Sequence, residues 1–195
     1  MAKLNDTIIQ IISLDPEVMP LQDKTDIKRF SILAVFCAVS IIMGYVESII
    51  PFNFGIPGVK LGLANLVTVV LISFNNGYFK FKEIILVCLT RILVVGFLFG
   101  NMYGIIYSLC GGILSFISMY FMNKTNKFGV LGISVLGGVM HNFAQLFVAM
   151  VVVDQLKLVF YAPVLLLSGS LFGALLGIIA AIVLPKLEGI EGKNL

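Results

Sequence analysis

The stretch SVLGGVMHNFAQ, residues 134–145, sets a histidine and two amide side chains inside a long apolar segment, with no charge close enough to make it a loop. Polar side chains at such a position are costly in hydrocarbon, because their hydrogen-bonding groups go unsatisfied unless they face a bundle interior or a water-filled cavity. His141 and Gln145 are four residues apart and share one helix face, while Asn142 lies roughly 100° round from His141. The pattern reads as the floor or wall of a binding site within a membrane domain.

Working outward, the whole chain agrees with that setting. Of its 195 residues 59% are hydrophobic and only 12% charged, and its mean hydropathy is +1.09. A soluble domain of this length would expose far more charge. The apolar residues also fall in blocks long enough to cross a bilayer, for which about 20 helical residues suffice. The expectation is an all-α integral membrane protein with one membrane domain and no sizeable soluble one.

Six spans can be drawn, from Phe30 to Ile50, Lys60 to Ser73, Glu83 to Phe99, Tyr103 to Met122, Val130 to Val153, and Val159 to Leu184. The second is short for a full crossing, so it tilts little, extends at either end or stops short inside the bundle. Residues 1–29 are a polar tail, 30–186 the six-helix membrane domain, and 187–195 a second tail. The tail's one apolar run, IIQIIS, is too short for a signal-peptide core. With the N-terminus in the cytoplasm, Lys3, Lys24, Lys28, Arg29, Lys80, Lys82, Lys124, Lys127, Lys186 and Lys193 fall inside. Only Lys60 and Lys157 fall outside. Ten against two points to both termini inside.

Further polar residues join the candidate site. Arg91 sits near the middle of the third span, where a guanidinium costs at least about 2.5 kcal/mol and requires a partner. Glu83, an anionic ligand or a ring of backbone carbonyls would each serve, and such a charge can also pin helices together. Glu47 lies near the end of the first span, and the loop PFNFGIPGVK, rich in proline and glycine, folds as a turn ending in Lys60. Asn65 follows about 7.5 Å deeper along the second span. Glu47, Lys60, Asn65 and Gln145 could line one outward-opening cavity, although Glu47 and Lys60 also suit an interfacial ion pair.

Several chemistries find no apparatus. His141 is the only histidine and has no carboxylate or thiolate company at its depth, so no metal site is expected. It either shapes the pocket through its hydrogen bonds or relays a proton. Cys37, Cys88 and Cys110 lie singly in apolar segments, as free thiols acting as small core residues. There is no Walker A sequence, no DDxxD pair, no GxSxG and no HExxH, so no catalytic residues, cofactor or nucleic-acid partner is expected. Small residues spaced by four mark close helix approaches: Ala34 and Ala38, then Gly104, Ser108 and Gly112, then Gly169, Gly173 and Gly177.

On the motifs PGVKLGLAN (57–65), SLCGGILS (108–115), SVLGGVMHNFAQL (134–146) and PVLLLSG (163–169), the chain resembles the Gx transporter family, also labelled heptaprenyl diphosphate synthase component I. The likeness covers residues 31–184, with Ala144 standing where Gly is more usual. That family resembles the substrate-binding S components of energy-coupling factor (ECF) transporters. The resemblance implies a six-helix bundle with both termini inside, in the cytoplasmic membrane of a bacterium, binding a small-molecule substrate in an outward-facing cavity. It implies import with a membrane coupling subunit and two ATPases, with Ala34 and Ala38 docking the coupling subunit. Substrate-binding residues would be His141, Asn142 and Gln145, then Lys60, Asn65, Glu47 and Arg91, the cations suiting an anionic or strongly polar ligand. The synthase label implies the alternative, a non-catalytic membrane component associated with a prenyl diphosphate synthase catalytic subunit. Prenyl elongation needs magnesium held by paired aspartates, which this chain lacks.

Overall fold

The computed structural model describes residues 24–49, 62–74 and 77–192. Among them every regular element is helical: α1 (Lys24–Ile49), α2 (Asn65–Ser73), α3 (Phe81–Phe99), α4 (Met102–Lys124), α5 (Val130–Val153), a 3-10 turn (Leu156–Tyr161) and α6 (Ala162–Gly192). Four stretches are long and apolar enough to cross a membrane: Ile27–Ile49, Met102–Lys124, Val130–Val153 and Leu156–Gly189. The protein is therefore a multi-pass membrane protein. α3 has the length, but Lys82, Glu83 and Arg91 interrupt its apolar character, and α2 has only 9 residues.

Helices run past the apolar spans at both ends of the chain. α1 begins at Lys24, within the stretch expected as a tail to Arg29, and α6 continues to Gly192 with Pro185 inside it. A helix keeps its own backbone bonds satisfied as it passes from hydrocarbon into water, so polarity alone does not end it. The chain divides into two units, residues 1–35 and 36–195. In the first, Ser31 Oγ donates to Ile27 O at 2.9 Å, one turn back along α1.

The second unit is built around α2. This helix touches α3, α4, α5 and α6, and seven of its nine residues are buried, including Asn65 and Thr68. Tertiary contacts tie both its ends. At the start, Gly62 adopts a positive φ of 79° and its carbonyl accepts from Asn65 N at 2.8 Å, a turn that glycine makes without strain. At the finish, Asn123 Nδ2 of α4 donates to Ile72 O at 3.0 Å, taking up a carbonyl the helix leaves open. So short a helix is marginal alone and stands on its packing.

α5 lies along α6 on a glycine seam. A Cβ on Gly173 would stand 2.7 Å from Ser134 O and 2.8 Å from Val135 Cα, so backbone meets backbone. Ser134 Oγ donates to Gly173 O at 2.7 Å across the same seam. Local signals set the remaining helix starts. Lys80 N donates to Glu83 Oε2 at 2.7 Å at the head of α3, and Gly104 N donates to the α4 N-cap, Asn101 Oδ1, at 2.7 Å.

Candidate functional site

Polar side chains from four helices converge where α1 crosses α3. Gly44 permits the crossing, since a Cβ there would lie 3.0 Å from Val95 Cγ2 and 3.6 Å from Arg91 Cγ. One turn on, Glu47 of α1 turns inward, and its Oε1 accepts a short, buried hydrogen bond from Gly62 N. The carboxylate so fixes the turn that launches α2, and with it Asn65. Glu47, Arg91, Ser108 and His141, with Gly44, Ile92, Val95 and Gly96, line a cavity of about 10 Å³. That is about the room one water needs.

α4 contributes absence of bulk as well as Ser108. A Cβ on Gly111 would come within 2.9 Å of His141 Cε1, 3.0 Å of His141 Nδ1 and 3.2 Å of Gln145 Cγ. Glycine at this point lets the imidazole and the Gln145 amide of α5 occupy the interior. On the far side of His141, a Cβ on Gly62 would sit 3.8 Å from His141 Cδ2 and 3.0 Å from Asn65 Nδ2. His141, Gln145 and Asn65 therefore form one contiguous polar face. Their exposures, 4%, 0% and 5%, put them out of reach of bulk solvent.

Arg91 is 7% exposed, and its Nη2 donates to Cys88 Sγ at 3.9 Å, a weak bond. Its Nε, like Asn65 Nδ2, has no hydrogen-bond acceptor among the described residues. Cys88 thus does more than fill space. Glu83, weighed as an Arg91 partner, folds its carboxylate onto Lys80 N at the start of α3, eight residues and about 12 Å along the helix from Arg91.

Not every candidate joins this face. Asn142 is buried, but its Nδ2 donates to Leu165 O at 2.8 Å and to Ser168 Oγ at 3.2 Å, both on α6. Its one-residue offset from His141 swings it away from the cavity and makes it a tie between α5 and α6. Lys60 lies outside the described residues. Ala34 and Ala38 are both exposed on α1. Ser108, Gly44 and Gly96 are lining groups that sequence reasoning passed over; for Ser108 the small-residue spacing of α4 was the signal available, and it did not distinguish packing from a pocket.

The outer side of the α4–α5 pair differs completely. An open groove of about 670 Å³ runs there, lined by Ile106, Cys110, Phe143, Phe147 and their apolar neighbours. It has the surface expected against lipid tails.

A sequence model described as heptaprenyl diphosphate synthase component I matches residues 36–183. No curated protein and no solved structure matches the chain.

Proposed function

Since the chain belongs to the heptaprenyl diphosphate synthase component I family, we propose that it is a non-catalytic membrane component of a prenyl diphosphate synthase assembly, and that its intramembrane polar pocket binds a small molecule. The family match over most of the chain carries the first half. Its five aspartates, Asp6, Asp15, Asp23, Asp26 and Asp154, include no DDxxD pair, so allylic diphosphate ionisation belongs to a partner. The pocket half rests on Glu47, Arg91, Ser108 and His141, buried polar side chains from four helices that meet at one cavity.

In this reading six helices cross the cell membrane with both termini in the cytoplasm. Lys80, Lys82, Lys124 and Lys127, all exposed, then stand at the cytoplasmic ends of α3 and α4, where a soluble synthase subunit would meet them. The same pocket favours a second reading, capture of a substrate for import with a coupling subunit and two ATPases, docked through Ala34 and Ala38.

The two readings separate on gentle purification from native membranes followed by native mass spectrometry. A copurifying prenyltransferase whose magnesium-dependent elongation rises when the purified chain is added back is the expected result. Copurification with a coupling subunit and two ATPases, with elongation unchanged on add-back, overturns it.

A further inference from the structure

Two opposite charges face one cavity, and each hydrogen-bonds elsewhere. Arg91 and Glu47 both line it, yet among the described residues the guanidinium donates to Cys88 Sγ and the carboxylate accepts from Gly62 N. Arg91 Nε has no acceptor among the described residues, although the side chain is more than nine-tenths buried. A guanidinium left in that condition inside a membrane bundle is costly. We propose that the cavity is a hydration site, holding one ordered water that accepts from Arg91 and donates to Glu47, so that the two charges pair through it. The inference goes beyond the functional reading and does not rest on it, since these charges need the bridge whether or not a substrate binds.

Size, polarity and charge together select water. The free volume of about 10 Å³ is what one water needs, and it excludes anything larger. A cavity this small stays dry when its walls are apolar and fills when two to four polar partners reach it. Here the wall supplies four, Glu47, Arg91, Ser108 and His141, each from a different helix. Among the described residues it carries one guanidinium and one carboxylate, so a bound anion would face Glu47 and a bound cation would face Arg91. A neutral molecule that both donates and accepts suits both. Water does so, and the Ser108 hydroxyl can take its second hydrogen. Such a bridge is nearly as favourable as a direct hydrogen bond, and it links α1, α3 and α4 beside the Gly44 crossing.

The test is a crystal structure of the full chain grown from a lipid mesophase, at a resolution that shows ordered water, for wild type and Ser108→Val. In wild type one water is expected at about 2.7–3.2 Å from both a guanidinium nitrogen of Arg91 and a carboxylate oxygen of Glu47. Valine at 108 removes a hydroxyl from the wall and adds bulk in its place. That variant is expected to lack the water, and its melting temperature to fall by roughly 2–8 °C as the charges lose their bridge. A wild-type cavity without density, a larger molecule inside it, or Arg91 and Glu47 in direct contact overturns the inference. So does a Ser108→Val protein that melts within about 1 °C of wild type. If Ser108→Val does not fold, the wild-type density decides alone. Neither copurification nor elongation enters this test, so failure of the subunit reading leaves its result standing.

Discussion

Replacing Glu47 with alanine tests whether the pocket's carboxylate holds the fold as well as facing the cavity. Glu47 is 7% exposed and accepts from Gly62 N, the residue whose positive φ starts α2. Alanine deletes a charge-assisted bond, about 1.5–3 kcal/mol, and leaves a buried N–H with no acceptor. The carboxylate facing Arg91 in the cavity goes as well. A loss of about 3 kcal/mol is expected, which for a chain of this size lowers the melting temperature by roughly 6–12 °C. Glu47→Gln keeps an acceptor oxygen in the same place and should lose about 1 kcal/mol, or roughly 2–4 °C. Membrane helices persist after tertiary unfolding, so helical content reads this transition poorly, and the chain has no tryptophan. Thermal exposure of the buried Cys88 to a fluorogenic maleimide reads it directly. Equal melting of the alanine and glutamine variants, or both within about 1 °C of wild type, refutes the clamp.

Three further outcomes follow from the same contacts. Gly173→Leu drives a side chain into Ser134 O and Val135 Cα on α5, so it should cost at least about 3 kcal/mol and abolish a cooperative melt. Asn142→Leu loses two hydrogen bonds to α6 and should cost about 1–3 kcal/mol by the same maleimide melt. A melt within about 1 °C of wild type would refute the tie. In native membranes at room temperature, a membrane-permeant maleimide should leave both Cys88, buried in the bundle, and Cys110, facing lipid tails where the thiolate does not form, largely unlabelled, read by mass spectrometry of the peptides.

Helical class and approximate helix positions were legible because hydrocarbon demands continuous apolar helices. Nine of the twelve expected span ends fall within three residues of a helix end here, and α5, Val130–Val153, coincides with its span. The start of α1 was not legible, since Lys24 to Arg29 are polar and a helix leaving the bilayer needs no apolar signal. The nature of α2 was half legible. Its shortness showed in the sequence, but that it is a buried strut touching four other helices depended on contacts from Asn123 and Glu47, respectively 51 and 15 residues from the groups they bind.

By itself the sequence determined that His141 and Gln145 share a face and that Arg91 needs a partner inside a membrane bundle, because both conclusions follow from helix period and the cost of burying charge. Only the tertiary structure decided that Glu47, Arg91 and His141 meet at one small cavity and that Asn142 turns to α6 instead. The physical reason is that a helix fixes which residues share a face but not which neighbour that face meets. That choice is made by the glycines that let helices close, Gly44 against Val95 and Gly111 against His141, whose effect lies in side chains they do not have.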